Sequence, residues 1–593
     1  MRLLSLTLHG TYKGLKDQTF DFQHSKGNII ALIGLNGSGK SQLLELIAES
    51  FAFLERKQRK DFTVRKALGF GFTLIYQLSG TTNHSAGSDG MSCGSPLAVA
   101  GGINNPIFKV TLAKGSKSPL VYIHLNGDWT EIHINSLELP YIIGYSSGLN
   151  ENLQRSFMKN AVQYFKIMNT RLKRKKELAE DLNDEQISNI NKRFLKKNPH
   201  IFEPERAYTD TSPITTESGE VITTEDGEPI ESESFLLGLR EYDTPATKSI
   251  YLDYDSAALF LLSLSILPRE SIASLLDEVT YKYPVSATLR YDLRKGIAGL
   301  DTIRDVLMLV RIAGVENVTG VGKKTTDKQF DLYELDYLAG DISLDLTDDD
   351  LLRRLTEENY NDPLALFNRL FKAQQLGVGN WRGSTRTKLS KDNFIGTVKK
   401  PLKTKLPLSI SELVLADDCQ NTVCFDDLSD GEAQLLQILA TSALFSQQRT
   451  LLLLDEPETH LNPSWRTHFH RQLNKAIAKQ EENTSQPQVF LSTHSPFMVS
   501  SLRREDVMCF ERLESNMIRM KPVENQTYGA SFEVLIKEHF DLQSLISQTV
   551  VKDIKEHLPK DDTTAAREES KQWIMENVGE SMEKAYLIRK LQS

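Results

Sequence analysis

The chain has 593 residues, of which 40% are hydrophobic and 25% are charged, and its formal net charge is −9. This length predicts several domains, and the acidic net charge excludes nucleic-acid binding through overall positive charge, so any such contact must come from local basic segments. The sequence has no apolar run of about 18 residues, no signal-peptide cleavage pattern and no C-x-x-C spacing, which predicts a cytoplasmic protein without a membrane span, zinc site or disulfide framework.

The amino-terminal part of the chain is predicted to be rich in strands. Residues 28–33 form a nearly continuous apolar run, as expected of a buried parallel strand. Residues 42–54 repeat apolar side chains at helical spacing. Further strands are predicted at 72–78 and 108–112. The segment 79–106 is rich in glycine, serine and asparagine, which favours a mobile loop.

A phosphate-binding loop is predicted between the first buried strand and the helix. Residues 34–41 read G-L-N-G-S-G-K-S and fit the pattern G-x-x-x-x-G-K-[ST]. The glycines allow the backbone to wrap around phosphate, Lys40 is predicted to bind the β- and γ-phosphates of a nucleotide, and Ser41 is predicted to ligate Mg²⁺. The predicted nucleotide-binding residues in this segment are Asn36, Gly37, Ser38, Gly39, Lys40, Ser41 and Gln42.

The composition and the periodicity of the sequence change at about residue 151. Apolar residues recur at helical spacing from Phe157 to Leu172, and basic clusters lie at 171–176 and 192–197. We therefore expect a short, basic helical hairpin or arm. Residues 203–243 are rich in acidic and small polar residues, which predicts a flexible acidic loop.

The next region is predicted to be globular and mixed in structure. Helices are expected near 259–267 and 363–371, and residues 381–405 form a third basic segment. Each basic segment fits either a solvated surface or part of a phosphate-binding groove. We predict that at least one of the three contacts nucleic acid.

A second ligand-binding motif lies at 428–432, which reads L-S-D-G-E before a helix predicted at 434–443. Ser429 can cap this helix, and Gly431 allows a ligand to approach the backbone. A plain S-x-x-E helix cap is the alternative. The segment 428–432 lies just before the next motif, and this position favours ligand binding over a plain cap. Ser429, Gly431 and Glu432 are therefore predicted nucleotide contacts.

Two further motifs carry the predicted chemistry. Residues 451–456 are four leucines followed by two acids, which predicts a Walker B strand that presents Asp455 to Mg²⁺ and Glu456 to the attacking water. A strand at 489–492 leads to His494, which could bind the γ-phosphate or that water. Glu456 and His494 are the predicted catalytic residues, and Ser41 and Asp455 are the predicted metal ligands.

Together these motifs resemble the ATP-binding-cassette (ABC) ATPases, and most of all the branch with the SMC and RecF heads and the OLD-family ATPases. The runs D-E-P-E-T-H-L-N-P at 455–463 and S-T-H-S-P-F at 492–497 are typical of that branch. The resemblance implies an α/β fold: an ABC-ATPase head built from N- and C-terminal segments, with a helical insertion and a helical C-terminal tail. It also implies ATP and Mg²⁺ as cofactors and a homodimer closed around ATP, in which Lys40 of one subunit faces Ser429 of the other.

The resemblance divides the chain into five parts. These are an amino-terminal ATPase lobe (1–150), the basic arm with the acidic loop (151–245), a mixed insertion with a basic segment (246–405), a carboxy-terminal ATPase lobe (406–525) and a helical tail (526–593). Asn462 stands where transporter cassettes usually carry an aspartate. Gln77 is the first candidate for the glutamine loop of the class, and the segment 145–148 is the second.

Within this branch the chain looks most like PtuA, the ATPase of Septu-type anti-phage defence systems, including versions found beside retrons. The shared features are the head size, a short helical insert and the lack of a nuclease motif. The resemblance implies an HNH nuclease partner similar to PtuB and, in retron-linked versions, a reverse transcriptase with its multicopy single-stranded DNA. The alternative is a DNA-repair ATPase similar to SMC and RecF that acts directly on DNA.

Overall fold

A computed structural model describes most of the chain as two compact units, Met1–Tyr528 and Gly529–Ser593. The predicted loop at 79–106 and the second half of the third basic segment lie largely outside the described residues. The residues that the structure does not describe are 65, 80–104, 126, 148–151, 179–181, 214–215, 217–220, 225–226, 228, 230, 243, 254–255, 295–299, 325–334, 390–405, 479–485, 516, 540–546, 560–562 and 593.

A seven-stranded sheet forms the centre of the first unit. Neighbouring strands are parallel except for the last pair, which is antiparallel. The inner strands are fully buried apolar runs, as expected of parallel strands covered on both faces. In order across the sheet the strands are β11 (Ser249–Leu252), β8 (Tyr141–Ser146), β17 (Thr450–Asp455), β18 (Gln488–Ser492), β3 (Ile29–Gly34), β19 (Val507–Arg512) and β20 (Ile518–Pro522).

This sheet brings the two ends of the chain together. β3 comes from the amino-terminal part and pairs with β18 on one side and β19 on the other, and β17 pairs with β18. The carboxyl ends of these parallel strands lie at one edge of the sheet, so the segments that follow β3, β17 and β18 become neighbours. The predicted α/β head built from N- and C-terminal segments is confirmed.

A second, antiparallel sheet packs with the central sheet around the first helix. Apolar residues of α1 (Lys40–Gln58), such as Ile47 and Phe51, share one buried cluster with Leu6 and Phe72 of the antiparallel sheet and Leu453 of β17. The helix therefore begins at the carboxyl edge of β3 in a fixed position. In order across this sheet the strands are β2 (Leu15–Asp21), β1 (Arg2–Tyr12), β4 (Gly71–Gln77), β5 (Ile107–Leu112), β6 (Leu120–Leu125) and β7 (Asp128–Ile132).

The inserted region contains a hairpin and a third sheet. The hairpin pairs β9 (Phe202–Pro213) with β10 (Glu231–Glu241). The third sheet has five strands, in the order β13 (Val318–Gly320), β14 (Ala339–Asp345), β12 (Tyr283–Asp292), β15 (Leu408–Ala416) and β16 (Thr422–Cys424).

The hairpin corrects the prediction of a flexible acidic loop at 203–243. Its two strands pair along most of their length, with Glu241 opposite Phe202 at one end. Arg171 Nε and Arg174 Nη1 lie 3.6 and 3.8 Å from the carboxylate of Glu241. Composition alone predicts disorder here because the neutralising charges come from a helix that is remote in sequence.

The predicted helices are present, with shifts of a few residues at their ends. No helix among the described residues is both long and apolar enough to cross a bilayer. The second unit is helical, as predicted for the tail, and its helices pack around Ile554, Ile574 and Val578. The other helices are α2 (Asn152–Glu177), α3 (Asp184–Lys197), α4 (Ala257–Leu264), α5 (Arg269–Leu275), α6 (Leu300–Ala313), α7 (Asp349–Glu358), α8 (Pro363–Gln375), α9 (Gly383–Leu389), α10 (Asp430–Leu444), α11 (Pro463–Ala476), α12 (Pro496–Ser500), α13 (Phe532–His539), α14 (Gln548–Glu556), α15 (Thr564–Asn577) and α16 (Met582–Gln592).

Candidate functional site

The phosphate loop leaves β3 at Gly34 and enters α1 at Lys40, and its glycines are required by its shape. Gly34 and Gly39 have φ values of +135° and +103°. A Cβ at Gly34 would lie 2.3 Å from the carbonyl oxygen of Phe510, whereas a Cβ at Gly37 would meet nothing within 4 Å. The loop is therefore packed against β19 at Gly34 and open at Gly37, where a phosphate can approach.

Lys40 lies at the centre of the site. Its Nζ donates to the carbonyl oxygens of Gly34 and Leu35 at 2.8 and 3.2 Å, and lies 3.0 Å from His494 Nε2. Burial lowers the pKa of Lys40 to about 8, although the charges of Glu456 and Asp455 raise it. The amine therefore stays largely protonated at neutral pH and can bind an anion.

Ser41 and Asp455 are adjacent, as predicted for two ligands of one cation. Ser41 Oγ donates to Asp455 Oδ1 at 2.8 Å, and Ser492 Oγ donates to the same oxygen. Ser38 and Ser146 each bury a hydroxyl oxygen without a hydrogen-bond partner in the described part of the chain. Hydroxyl and carboxylate oxygens, completed by phosphate and water, are the donors that Mg²⁺ prefers, so these residues fit the ion.

Glu456 occupies a strained position directly after the Walker B strand. Its φ is +51°, a left-handed conformation that costs a non-glycine residue about 1–2 kcal/mol. Its backbone N–H donates to the carbonyl oxygen of Ser492 at 3.1 Å, and its Oε1 lies 3.4 Å from His494 Nε2. Burial and then the charge of Asp455 raise the pKa of Glu456, which suits a proton acceptor.

His494 is neutral at physiological pH. Burial, and then the positive charge of Lys40, lower the pKa of His494 to about 4. A neutral Nε2 can accept the hydrogen bond from Lys40 Nζ, which fixes the other proton on Nδ1. The structure therefore brings Lys40, Glu456 and His494 together as adjacent side chains, although Lys40 and His494 are separated by 454 positions.

Glu458 is a buried residue of this region to which the sequence analysis assigned no role. Thr493 Oγ1 donates to Glu458 Oε1, and the backbone N–H of Ser495 donates to Thr493 Oγ1 at 2.9 Å. These bonds tie the segment after β17 to the turn that carries His494. The third acid of the D-E-P-E run, Glu458, was the available signal in the sequence, but its burial depends on the tertiary structure.

The signature segment forms the predicted helix cap and makes its described hydrogen bonds locally. Ser429 and Glu432 form a capping box at the start of α10. A Cβ at Gly431 would lie 2.8 Å from the carbonyl oxygen of His460. Within the described part of the chain, the hydrogen bonds of Ser429 and Glu432 connect them to each other and to α10, and none reaches residues 34–41.

The structure separates the two candidates for the glutamine loop. Ser146 pairs with Asp455 at the carboxyl edge of the sheet, and the Ser147 N–H donates to the Asp455 carbonyl oxygen at 3.0 Å. Gln77 instead pairs with Arg2, near the start of β18. The segment that begins at Tyr145 therefore reaches the site, and Gln77 does not.

Gln42 has a supporting position rather than an open one. Its Oε1 accepts a hydrogen bond of 2.9 Å from the N–H of Gly14, in the turn between β1 and β2. Arg512, which the sequence analysis did not select, donates to the Gly37 carbonyl oxygen at 2.8 Å. Both contacts hold the phosphate loop against its neighbours.

The first basic segment is only partly available to a ligand. Arg171 and Arg174 are buried, and they donate to Thr244 Oγ1 at 2.6 Å and Asn191 Oδ1 at 2.9 Å. Lys173 and Lys176 are exposed on the same helix. Of the two interpretations of this segment, a solvated surface or part of a phosphate-binding groove, neither applies to the two arginines, which stabilise the arm and its hairpin.

Comparison with known proteins gives one family match. Residues 323–500 match a family model described as "AAA domain, putative AbiEii toxin, Type IV TA system". The match contains Ser429, Asp455 and His494, and it ends before β19. A search of curated proteins gives no match.

Two solved structures illustrate the similarity to SMC heads. The SMC head domain from Thermotoga maritima has a TM-score of 0.29 and 10% sequence identity, covering 88% of this chain and 100% of that chain. An Smc head domain with a coiled coil and joint from Pyrococcus yayanosii has a TM-score of 0.30 and 13% identity, covering 91% and 99%. The AAA-domain match and the geometry of the site support ATPase activity in this chain.

Proposed function

We propose that the chain binds ATP with Mg²⁺ and hydrolyses it as a homodimer, and that this cycle controls a nuclease partner in anti-phage defence. The observation that carries the ATPase part is the convergence of Lys40, Ser41, Asp455, Glu456 and His494 at one sheet edge. Three segments that are far apart in sequence meet there, with an open side at Gly37.

Each residue has a role that fits its position. Lys40 and the loop N–H groups bind the β- and γ-phosphates, while Ser41 and Asp455 hold Mg²⁺. Glu456 accepts a proton from the attacking water, and neutral His494 holds that water or the γ-phosphate. When phosphate enters, Lys40 exchanges its bond with His494 for one with the nucleotide, which releases His494 Nε2.

The homodimer is supported by the position of the signature segment. Ser429, Gly431 and Glu432 make their described contacts within their own lobe, so their predicted contact with ATP needs a second subunit. A helix amino terminus with a serine hydroxyl suits a γ-phosphate presented from outside. The SMC-like pattern of motifs implies the same arrangement.

The role in defence is supported by the resemblance to PtuA and by the wording of the matched family, which names a toxin and a type IV TA system. The partner of this function is an HNH nuclease, joined in a retron setting by a reverse transcriptase and its multicopy single-stranded DNA. The genes adjacent to this one provide the test. Reconstitution should show nuclease activity that changes with ATP, and a nuclease that ignores both this chain and ATP would contradict the proposal.

The ATPase part is tested with Glu456→Gln. This variant should keep ATP affinity, hydrolyse ATP at least about a hundredfold more slowly because the proton acceptor is lost, and accumulate as an ATP-bound dimer in light scattering. Glu514→Gln, a change at an exposed acid, is the matched control and should behave as wild type. Hydrolysis at the wild-type rate by Glu456→Gln would remove Glu456 from this role.

A further inference from the structure

A cavity lies beside the edge strand β11, away from the phosphate loop. Its volume, measured as the space open to the centre of a water molecule, is about 80 Å³. Aromatic rings from four separate segments line it, namely Phe157 of α2, Tyr251 of β11, Phe371 of α8 and Trp381. β8, β17 and β18 separate this strand from β3, so the cavity is distinct from the nucleotide site.

Four polar atoms around this cavity are buried without a hydrogen-bond partner among the described residues. They are Oε1 of Gln154, Gln374 and Gln375, and Nε1 of Trp381. Gln154 is only 1% exposed and Gln375 only 7%. Buried polar groups are normally paired, so four around one cavity point to an occupant with complementary donors and acceptors.

The lining decides the chemistry of that occupant. None of the 14 described lining residues is lysine or arginine, and Asp253 is acidic, so the cavity does not suit phosphate. Aromatic walls suit a flat ring, and glutamine amides can pair with the donor and acceptor edge of a base. The volume equals that of roughly five to eight water positions, a size that admits a single ring system.

We propose that this cavity binds a nucleobase, with the attached sugar and phosphate outside. The indole N–H of Trp381 donates to a ring acceptor, and the amide oxygens of Gln154 and Gln375 accept from ring or exocyclic N–H groups. A free nucleotide and a single-stranded nucleic acid both present this chemistry. This inference does not depend on ATP hydrolysis.

The test uses the full chain with Lys40→Ala, which removes phosphate binding at the ATP site. Nucleosides, nucleoside monophosphates and short single-stranded oligonucleotides of each base are titrated while tryptophan fluorescence is recorded. At least one base should quench the fluorescence, and Trp381→Phe should abolish this change although three other tryptophans remain. Tighter binding of oligonucleotides than of monophosphates would identify a nucleic-acid strand as the source of the base.

Amide variants decide whether the cavity is the site. Gln154→Leu should weaken binding about threefold to tenfold, as expected for one lost hydrogen bond. Gln374→Leu, at a half-buried position, provides a second variant if Gln154→Leu melts early, and Gln572→Leu in the second unit is the matched control that keeps binding. The proposal would be overturned if no base quenched the fluorescence. It would also be overturned if the Lys40→Ala parent and its Gln154→Leu, Gln374→Leu and Gln572→Leu variants bound every base with equal affinity, and the cavity would then be filled by water only.

Discussion

Glu458 shows how one buried side chain can connect protonation with the geometry of the site. Burial raises the pKa of Glu458 to about 7, whereas the hydrogen bond from Thr493 lowers it. The charge of Glu456 adds to the raising effect, and Arg466 opposes it. Its other oxygen, Oε2, is buried and unpaired within the described part of the chain. The folded protein therefore favours the neutral acid below about pH 7.

Glu458→Gln should change how stability depends on pH. An unfolded glutamate has a pKa of 4.5, so between pH 4.5 and 7 the unfolded chain loses a proton that the folded chain keeps. The stability contributed by neutral Glu458 is thus fully present below pH 4.5 and is lost as the pH rises through about 7. The variant does not titrate, so its stability relative to wild type should rise by up to about 3 kcal/mol over this interval.

Urea denaturation of both proteins across this pH range measures the difference. Glutamine keeps an oxygen for Thr493 Oγ1, so the turn before His494 should stay in place and hydrolysis should persist. Glu514→Gln serves as control, since its acid is exposed. A wild-type-to-variant difference that stays constant with pH would contradict the burial-raised pKa of Glu458.

Residues that belong to short motifs could be predicted, because their chemistry fixes both residue type and spacing. Lys40, Ser41 and Asp455 lie together as predicted. The buried arginines Arg171 and Arg174 could not be predicted, since their acidic partner Glu241 is about 70 positions away. A cluster of charges in sequence does not reveal which members face inward.

Among the elements, α10 connects the signature segment to the central sheet. Gln434 Nε2 donates to Tyr145 Oη at 2.7 Å, and its Oε1 accepts from the His460 N–H at 3.2 Å. Gln434 is 4% exposed. One amide thus joins the start of α10 to the end of β8 and to the segment after Walker B. The start of α10 carries the signature segment, which is the predicted contact with the ATP of a second subunit.

Gln434→Leu should destabilise the fold by about 1–3 kcal/mol because it leaves the Tyr145 hydroxyl buried without this partner and removes the bond to the His460 N–H. Tyr145→Phe should cost less. The double variant should be more stable than the sum of the two changes predicts, with a coupling of about 1 kcal/mol, since both remove the same bond. Urea denaturation of the four proteins measures this coupling.

Gln437 provides the matched control on the same helix. Its Nε2 donates to the Asp253 carbonyl oxygen at 2.7 Å, so Gln437→Leu and Tyr145→Phe should have additive effects. Equal coupling for both glutamines would mean that Tyr145 responds to any change in α10. Hydrolysis should fall more than ATP affinity in Gln434→Leu, because the signature segment shifts while the phosphate loop stays.

Elements were predictable where local pattern and tertiary environment agree. The apolar run at 28–33 became β3 because parallel strands covered on both faces need such runs. The pairing of β9 with β10 was not predictable, since acidic composition argues against order until a cationic helix is placed beside it. The order of strands in the central sheet, which inserts β3 between β18 and β19, also depends on the whole fold.

At the scale of the whole molecule, the central sheet assembles the proposed nucleotide site from both ends of the chain. The phosphate loop, the predicted metal ligands and the predicted catalytic pair meet at its carboxyl edge. The signature segment, fixed by His460 and the central sheet, is exposed at another place on the same lobe. We propose that a chain with these two features completes its site by pairing with a copy of itself.

Mixing two inactive variants tests this pairing directly. Lys40→Ala removes the phosphate contact of its own subunit, and Ser429→Arg blocks the contact offered to the partner, so each homodimer should have two inactive sites. A mixed dimer contains one intact site, made from Lys40 of the Ser429→Arg subunit and Ser429 of the Lys40→Ala subunit. Random exchange at equal concentration should therefore restore about a quarter of wild-type hydrolysis.

Ser429→Ala distinguishes blocking from loss of the helix cap. It removes the cap of α10 at a cost of about 1 kcal/mol without filling the interface, so it should keep much more activity than Ser429→Arg. If the mixture stays inactive while both variants fold and exchange subunits, Ser429 does not act across the dimer. If the Ser429→Arg protein hydrolyses ATP without the second variant, the complete site lies within one subunit. Blocking the interface would in that case remove no residue that hydrolysis needs.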